Sequence, residues 1–218
     1  AKGLGLEVRM MQDTLVRSRG CSNLISELSN ILVFKRGTDS QGKVALAAHY
    51  DSQPNTPGAA DDGAAVACML SLMEKYATKD IKNDLLFLIT DGEEGGLNGA
   101  ISFIENYEQK DSIKYLFNFE ARGNAGPVLA FETTTGNGQL MQEFKQFDGS
   151  FSNSIMYEVY KLLPNDTDFT IFRQMDITGI SFAMIDGFVN YHNMTDTPQN
   201  MNKNSLFHEG VLMSQLID

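Results

Sequence analysis

The sequence predicts an α/β fold, a three-layer α/β/α sandwich with a mixed, mostly parallel central sheet. Short runs rich in apolar and β-branched residues end in clusters of Gly and Asp, and stretches with helical periodicity follow them. Strands that alternate with helices are typical of layered α/β proteins. The run Leu85-Leu86-Phe87-Leu88-Ile89 is wholly apolar, which indicates a central strand covered on both faces. With 42% hydrophobic and 21% charged residues, the 218-residue chain has a globular composition.

The predicted elements follow one another in a regular order. Residues 6–36 predict edge strands with a turn near Arg19 and Gly20. Further strands are predicted at residues 43–49, 84–90, 113–119, 128–132 and 180–185. Helices are predicted at residues 63–76, 97–107, 139–147, 168–174 and 205–217. In the first helix, Leu70, Met73 and Ala77 have the spacing of one helical face. Because no repeat or Pro/Ser-rich linker interrupts this order, residues 1–218 are expected to form a single domain.

Charge and cysteine content exclude several function classes. The chain has 17 Lys and Arg residues and 28 Asp and Glu residues, which gives a formal net charge of −11. Neither nucleic acid nor an anionic membrane surface is therefore an expected partner. No apolar run reaches ~18 residues, so this segment is not expected to span a membrane. With two Cys and three His, zinc held by thiolates or by three closely spaced histidines is not expected. The sequence leaves open whether Cys21 and Cys68 form a disulfide, although the apolar run around Cys68 favours a buried thiol.

Acidic residues and histidines cluster where the predicted strands end. The residues at or just beyond these ends are His49, Asp51, Asp61, Asp62, Glu93, Glu94, Glu120 and His192. Because ligands of such sheets bind outside the carboxyl ends of the strands, these side chains are expected to share one cleft. Packed carboxylates raise one another's pKa unless a cation compensates them. Two imidazoles with several carboxylates and no thiolate favour zinc or another first-row divalent ion over calcium.

Two metal ions account for these ligands better than one, because one ion would leave acids unused. Two ions that share a bridging Asp would use the set His49, Asp61, Glu94, Glu120 and His192. Glu93 would then be left to accept a proton from a water. Asp51, two residues after His49, is placed to accept the other imidazole N–H.

Each of these residues has a simpler interpretation when taken alone. Asp61 and Asp62 before a helix are typical of an N-cap and a first-turn acid. The pair Glu93-Glu94 is typical of a solvated loop, and a histidine at a strand end is often a hydrogen-bonded core residue. Their common position at the strand ends favours the metal hypothesis. His208, in the terminal helix, is expected to be structural or exposed.

Five ordered motifs carry a resemblance to a known family. They are Ala48-His49-Tyr50-Asp51-Ser52, Pro57-Gly58-Ala59-Ala60-Asp61-Asp62, Asp91-Gly92-Glu93-Glu94-Gly95-Gly96-Leu97, Asn118-Phe119-Glu120-Ala121, and Tyr191-His192 followed by Asp196-Thr197. On these motifs the sequence resembles the co-catalytic zinc peptidases, which include bacterial leucyl-type aminopeptidases, glutamate carboxypeptidase II and the glutaminyl cyclases. The resemblance implies a zinc-peptidase-like fold with two zinc ions per chain.

The resemblance also implies a role for each site residue. Asp61 would bridge the two ions, with His49 and Glu120 completing one site and Glu94 and His192 the other. Glu93 would be the general base. Tyr191, before the last histidine, would stabilise the tetrahedral intermediate. Many members have Asp in place of Glu120, whose longer arm can still reach a metal. Asp168 matches a family position before a helix, where an N-cap and a site role both stay open.

The implied activity is that of a zinc-dependent exopeptidase, an aminopeptidase that hydrolyses N-terminal residues from peptides. The residues around Asn118 and the stretch from Leu163 to Phe169 resemble the endoplasmic-reticulum and membrane-anchored branch of this family. We therefore expect a catalytic domain excised from a longer, membrane-anchored protein, located in a lumen, in the periplasm or outside the cell. Arg122 is expected to pair with a structural acid rather than with a substrate carboxylate.

Two alternative functions remain at this point. A glutaminyl-cyclase-like acyltransferase would share the metal ligands, but those enzymes rely on tryptophans around the substrate and this chain has none. A non-enzymatic receptor or scaffold domain, as in transferrin receptor, would have lost its metal ligands. Here the five implied ligands and Glu93 are all present, which favours an enzyme.

Overall fold

A mixed β-sheet forms the centre of the molecule in the computed structural model, which describes residues 1–20, 22–163, 165–175 and 177–218. Within these ranges the sheet has eight strands in the order β1-β2-β4-β3-β5-β8-β6-β7. The strands are β1 (Glu7–Arg19), β2 (Ser22–Lys35), β3 (Lys43–His49), β4 (Asp84–Thr90), β5 (Ile113–Ala121), β6 (Leu129–Thr133), β7 (Phe151–Ser152) and β8 (Thr178–Met184). The four central strands β4, β3, β5 and β8 are parallel. Strand β2 pairs in antiparallel fashion with β1 and β4, and β6 is antiparallel to β8 but parallel to β7.

Helices cover both faces of this sheet. They are α1 (Gly63–Ala77), α2 (Asn98–Asn106), α3 (Gly138–Phe144), α4 (Ser154–Tyr160), α5 (Asp168–Phe172) and α6 (Lys203–Ile217). On β3, Leu46 and Ala48 pack in a core with α1, α3 and α6, while Ala45 and Ala47 pack in a second core with α2 and α5. Alternate residues of one strand thus face two different apolar layers. The predicted three-layer α/β/α sandwich is confirmed.

The strands next to the site end close to where the sequence places them. Residues 43–49 and 84–90 match β3 and β4, and β5 continues two residues beyond the predicted end, to Ala121. The predicted face of α1 is wrong at Leu70, which is 54% exposed. The buried face instead contains Met69, Leu72, Met73 and Tyr76. These residues follow the i, i+3, i+4, i+7 pattern of a helix packed on a sheet.

The strands β1 and β2 form a long hairpin that reaches beyond the sheet. Only Ile31–Lys35 of β2 pairs with β4, and Ile31 lies opposite Ile89 near the carboxyl end of that strand. Residues 11–20 and 22–30, here termed the hairpin arm, therefore project past the edge where the acidic residues gather. The Asp13 carboxylate of the arm accepts hydrogen bonds from Ser102 and Asn106 of α2, at 2.7 and 2.9 Å. These bonds hold the arm against that helix.

No helix within the described residues is both long and apolar enough to cross a membrane. Cys68 of α1 is buried. Cys21 lies outside the described residues, so its pairing with Cys68 stays a prediction.

Candidate metal centre and cleft

Side chains from three neighbouring strand ends and two loops meet at one edge of the sheet. His49 is the last residue of β3, Glu94 lies in the loop after β4, and Glu120 lies near the end of β5. Asp61 comes from the loop before α1, and His192 from the loop after β8. Because β3, β4 and β5 are parallel, their carboxyl ends bring these residues together.

The five residues form two groups that share Asp61. In each group the potential ligand atoms lie within 4.8 Å of one another: His49, Asp61 and Glu120 in the first, and Asp61, Glu94 and His192 in the second. One carboxylate oxygen of Asp61 lies 3.3 Å from His49 Nε2, and the other lies 3.1 Å from His192 Nε2. A carboxylate whose two oxygens face two separate ligand groups has the arrangement of a bridging ligand.

The protonation of His49 shows why the first group suits a cation. Its Nδ1 lies 2.9 Å from the backbone carbonyl of Asp51, which can only accept, so Nδ1 carries the proton in the neutral imidazole. Nε2 is buried and has no hydrogen-bond partner, and it faces Asp61 Oδ1 and Glu120 Oε2, the latter at 3.6 Å. A lone pair that faces two carboxylates is repelled unless a positive charge lies between them. The residues present therefore fit a divalent metal ion.

The titration of the same residues reflects their mutual contacts. Burial lowers the pKa of His49, but the nearby carboxylates of Asp51, Asp61 and Glu120 raise it by more, so the net direction is up. For Asp61, burial raises the pKa, and the two histidines lower it to below the ordinary value. Asp61 is thus a carboxylate held in its charged form, as a metal ligand must be.

Asp51 contacts His49 chiefly through its backbone carbonyl. Its carboxylate lies 3.5 Å from His49 Nδ1, and the shorter contact is made by its backbone carbonyl. The carboxylate instead accepts hydrogen bonds from the backbone N–H groups of Glu93 and Glu94, both at 3.0 Å. Asp51 therefore positions the loop that carries both glutamates.

Three polar residues that the sequence analysis gave no role orient the acids. Gln53 donates to Glu94 Oε2 at 2.8 Å, which leaves Glu94 Oε1 at 3.1 Å from His192 Nε2. Asn118 donates to Glu120 Oε1 at 2.9 Å, which leaves Glu120 Oε2 towards His49. Hydrogen bonds of this kind fix the orientation of metal ligands. Asn118 and Glu120 are separated by one residue of a strand and so share a face, a signal that the sequence does contain.

Asp196 is the third of these residues, and it positions the backbone around Asp61. Its carboxylate accepts from the backbone N–H groups of Ala60 and Asp61, at 2.9 and 3.2 Å. Asp196 is 1% exposed. Asp196 belongs, with His192, to one of the five motifs, so the sequence indicated that it lies near the site. The sequence did not indicate which backbone groups its carboxylate binds.

Glu93 lies beside the two groups without belonging to either. Its side chain lines the cleft and the residue is 9% exposed. Burial and then the Glu120 carboxylate raise the pKa of Glu93 to about 10. Such a shift reflects carboxylates crowded in a dry site, and a divalent cation among them reverses it. Glu93 is therefore an acid in the cleft wall that neither ligand group uses.

Tyr191 and Arg122 form a stack on His192. The Tyr191 ring lies 3.7 Å from the His192 ring with an interplanar angle of 20°, and Arg122 Cζ lies 5.2 Å from the Tyr191 centroid. Burial and then the Asp61 charge raise the pKa of Tyr191 above its ordinary value, so its hydroxyl stays protonated at neutral pH. His192 itself has a left-handed backbone with φ of 53°, which is uncommon for a residue other than glycine.

Asp62, Asp168 and His208 each make a contact that decides between the interpretations left open for them. Asp62 precedes α1 but makes no capping hydrogen bond; its carboxylate accepts from the His49 backbone N–H at 3.1 Å. Asp168 is not the N-cap of α5, because Thr167 holds that position, and its carboxylate accepts from the Thr90 hydroxyl. His208 is structural: Val128 N–H donates to its Nδ1 at 3.0 Å, and its Nε2 lies 2.8 Å from the Gly149 carbonyl.

A buried glutamate lies in the last helix, outside the two ligand groups. Glu209 of α6 is fully buried, its Oε1 has no partner, and its Oε2 lies 3.9 Å from the Cys68 thiol. Burial raises the pKa of Glu209 to about 8. A carboxyl group with a raised pKa in the folded state destabilises the fold progressively as pH rises from its ordinary value to the raised one.

We expect Glu209→Gln to raise the melting temperature more at pH 8 than at pH 5. The amide keeps the shape of the side chain and removes the charge that the folded protein must accommodate above pH 8. Thermal unfolding followed by circular dichroism at both pH values measures the difference between variant and wild type. Glu105→Gln on the exposed surface of α2 is the control. A difference that is equal at the two pH values would contradict the assignment.

Comparison with known sequences gives a consistent picture. The model of Peptidase family M28 matches residues 30–217. The chain is 29% identical over 201 residues to the vacuolar membrane protease of Lachancea thermotolerans, covering 90% of this chain and 21% of that protein. It is 29% identical over 198 residues to endoplasmic reticulum metallopeptidase 1 of Homo sapiens, covering 88% of this chain and 22% of that protein. The chain spans about a fifth of the length of the curated relatives it matches.

Solved structures share the fold at lower sequence identity. BSAP, a zinc aminopeptidase from Bacillus subtilis, superimposes with a TM-score of 0.68 at 21% identity, over 87% of this chain and 49% of that one. The glutaminyl cyclase of Fimbriiglobus ruber superimposes with a TM-score of 0.75 at 16% identity, over 99% of this chain and 82% of that one. Both similarities concern the fold, which a zinc aminopeptidase and a glutaminyl cyclase share.

Proposed function

Since the chain belongs to peptidase family M28, we propose that it is a zinc-dependent exopeptidase, an aminopeptidase that hydrolyses N-terminal residues from peptides. The observation that carries this proposal is the Asp61 carboxylate, whose two oxygens face two separate groups of ligands while Glu93 stands beside them. This arrangement suits hydrolysis by two metal ions with a separate base.

The metal ligands follow from the two groups. His49, Asp61 and Glu120 would hold one zinc ion, and Asp61, Glu94 and His192 the other. When bound, the ions supply the positive charge that lowers the pKa of a water towards ~7 and polarises the scissile carbonyl. Imidazole and carboxylate donors without thiolates agree with catalytic zinc sites.

Two residues of the chain would move or hold charge during the reaction. Glu93 accepts the proton of the attacking water and returns it to the amine that leaves when the C–N bond breaks. Tyr191 donates its hydroxyl to the oxygen that becomes negative in the tetrahedral state. The position of Tyr191 in the cleft wall, stacked on the His192 ring, supports this role.

Metal analysis combined with two assays tests the proposal. We expect two zinc ions per chain, hydrolysis of leucyl-p-nitroanilide, and no cyclisation of peptides that begin with glutamine. Zinc without hydrolysis but with cyclisation would establish the acyltransferase. A chain that binds no zinc and turns over neither substrate would be a receptor or scaffold domain.

The cleft provides an apolar surface for the first residue of a substrate. It has a volume of about 510 Å³, within the usual range for small ligands. Beside the acids its wall contains apolar side chains of β6, α4 and the segments after α4 and β8: Phe131, Met156, Val159, Leu163 and Ile185. We propose that a large apolar N-terminal side chain packs here.

We expect Met156→Ala to lower kcat/KM for leucyl-p-nitroanilide roughly three- to tenfold relative to alanyl-p-nitroanilide, because each lost methylene contact costs ~0.8 kcal/mol. Rates with the two substrates measure the ratio. Ile155→Ala is the matched control, since Ile155 is adjacent on α4, 68% exposed and not part of the cleft wall. An equal loss with both substrates would argue against this pocket.

We also propose that residues 1–218 form one catalytic metallopeptidase domain of a longer, membrane-anchored protein that acts in a lumen, in the periplasm or outside the cell. The relatives named for the vacuolar membrane and the endoplasmic reticulum support this location. Protease protection of the tagged full-length protein in sealed vesicles tests it.

A further inference from the structure

The hairpin arm contributes a basic side chain to the cleft. Arg17 of β1 lines the same cavity as Glu93 and Glu94. Its Nη1 donates to the Gly96 carbonyl at 2.5 Å and lies 3.2 Å from Asn98 Oδ1. The match to the family model begins at residue 30, so Arg17 precedes the matched region. These two bonds fix the guanidinium at the cleft wall through one of its nitrogens.

A second guanidinium lines the same cavity. Arg122 follows β5 and stacks on Tyr191, as described above. Within the described ranges, neither Arg17 nor Arg122 forms an ion pair, although Arg173 pairs with Glu132 elsewhere. The expected pairing of Arg122 with a structural acid is therefore not found among these residues. The acids of the cleft lie against the two histidines instead.

Two arginines without acidic partners give the cleft a positive side opposite in charge to its metal-binding acids. Guanidinium groups bind carboxylates through parallel hydrogen bonds. Arg17 is half-buried and Arg122 is exposed, so such a partner stabilises Arg17 more than Arg122. The N–H groups of Arg17 other than those on Nη1 have no partner among the described residues. An anionic group on the ligand would complete the site.

We propose that Arg17, with Arg122, binds a carboxylate of the peptide substrate and so selects short peptides that carry a carboxylate close to the scissile bond. This inference rests on the proposed function and adds a substrate class to it. The carboxylate has two potential sources with the same chemistry, the free C-terminus of a short peptide and an acidic side chain. The cavity volume of about 510 Å³ suits a ligand of that size.

A purely structural role of Arg17 makes a different prediction. The bond to Gly96 ties the arm to the loop of Glu93 and Glu94, so loss of the guanidinium could displace both glutamates. Such a displacement would lower kcat for every substrate alike. Loss of carboxylate binding would instead raise KM for the substrates that carry the carboxylate and leave the others unchanged.

The test compares leucylalanine with leucylalanine amide, which differ only in the C-terminal charge. We expect wild type to favour the acid by about tenfold or more in kcat/KM, the usual size of a charged hydrogen bond. Arg17→Ala should remove that preference through KM. Arg9→Ala, on the same strand but lining a separate pocket, should retain it. Equal losses for acid and amide, or no loss, would overturn the proposal.

Two further measurements identify the source and separate the two proposals. If leucylaspartate amide shows the same Arg17-dependent advantage over leucylalanine amide, the side-chain carboxylate is accepted as well as the terminus. Calorimetric binding of the acid and the amide to Glu93→Gln gives a readout that does not need turnover. A tenfold preference for the acid there, with no hydrolysis by wild type, would sustain carboxylate binding and refute the aminopeptidase. Equal binding of acid and amide would refute carboxylate binding itself.

Discussion

Replacing Glu93 with Gln is expected to lower kcat for leucyl-p-nitroanilide by about 10²–10⁴-fold, the usual contribution of a general base, while two zinc ions stay bound. Glu93 belongs to neither ligand group, so its charge is not needed to hold metal. The amide has nearly the same shape and cannot accept a proton from water. Steady-state rates and zinc content, measured on one preparation, give both quantities.

The neighbouring glutamate provides the matched control. Glu94→Gln makes the same chemical change one residue later in the same loop, yet Glu94 Oε1 lies 3.1 Å from His192 Nε2 within a ligand group. We expect this variant to lose zinc together with activity. If Glu93→Gln lost zinc, Glu93 would be a ligand; if it turned over substrate at the wild-type rate, the base would lie elsewhere.

The sequence predicted the ligand set because each ligand lies at or just beyond a strand end or in an adjoining loop. His49 and Glu120 lie within β3 and β5 themselves, so correct strand bounds already place them at one edge of the sheet. The structure brings together all five residues of the predicted set. Their role as zinc ligands stays a prediction until the metal is measured.

The contacts that loop residues make around these ligands could not be predicted from the sequence, because they depend on loop geometry. Asp51 lies next to His49 as expected, but whether its carbonyl or its carboxylate meets Nδ1 depends on a difference of 0.6 Å between contacts of 2.9 and 3.5 Å. Asp196 is 135 residues from Asp61 in sequence, and no periodicity connects them. Arg17 lies on β1, which pairs with the part of β2 that continues past the end of β4. Strand propensity alone does not fix how far β2 continues, so the position of Arg17 at the cleft could not be predicted.

Because Asp61 belongs to both ligand groups, variants of the ligands are expected to lose different numbers of zinc ions. Asp61→Asn should lose both ions, because it removes charge from both ligand groups at once. His49→Ala and His192→Ala should each retain about one ion per chain, because each disrupts only one group. Zinc content after dialysis against a fixed free zinc concentration, measured by atomic absorption, gives the three values. Activity should be lost in all three, since two ions are needed together.

His208→Ala is the control for the loss of an imidazole. His208 is held between the Val128 N–H and the Gly149 carbonyl, so its removal should lower the melting temperature and leave two zinc ions bound. If Asp61→Asn retained one ion, the two groups would not share a bridging ligand. If either single histidine variant lost both ions, the sites would be coupled so strongly that neither fills alone. The described geometry argues against such coupling, because each group keeps its own histidine and its own glutamate.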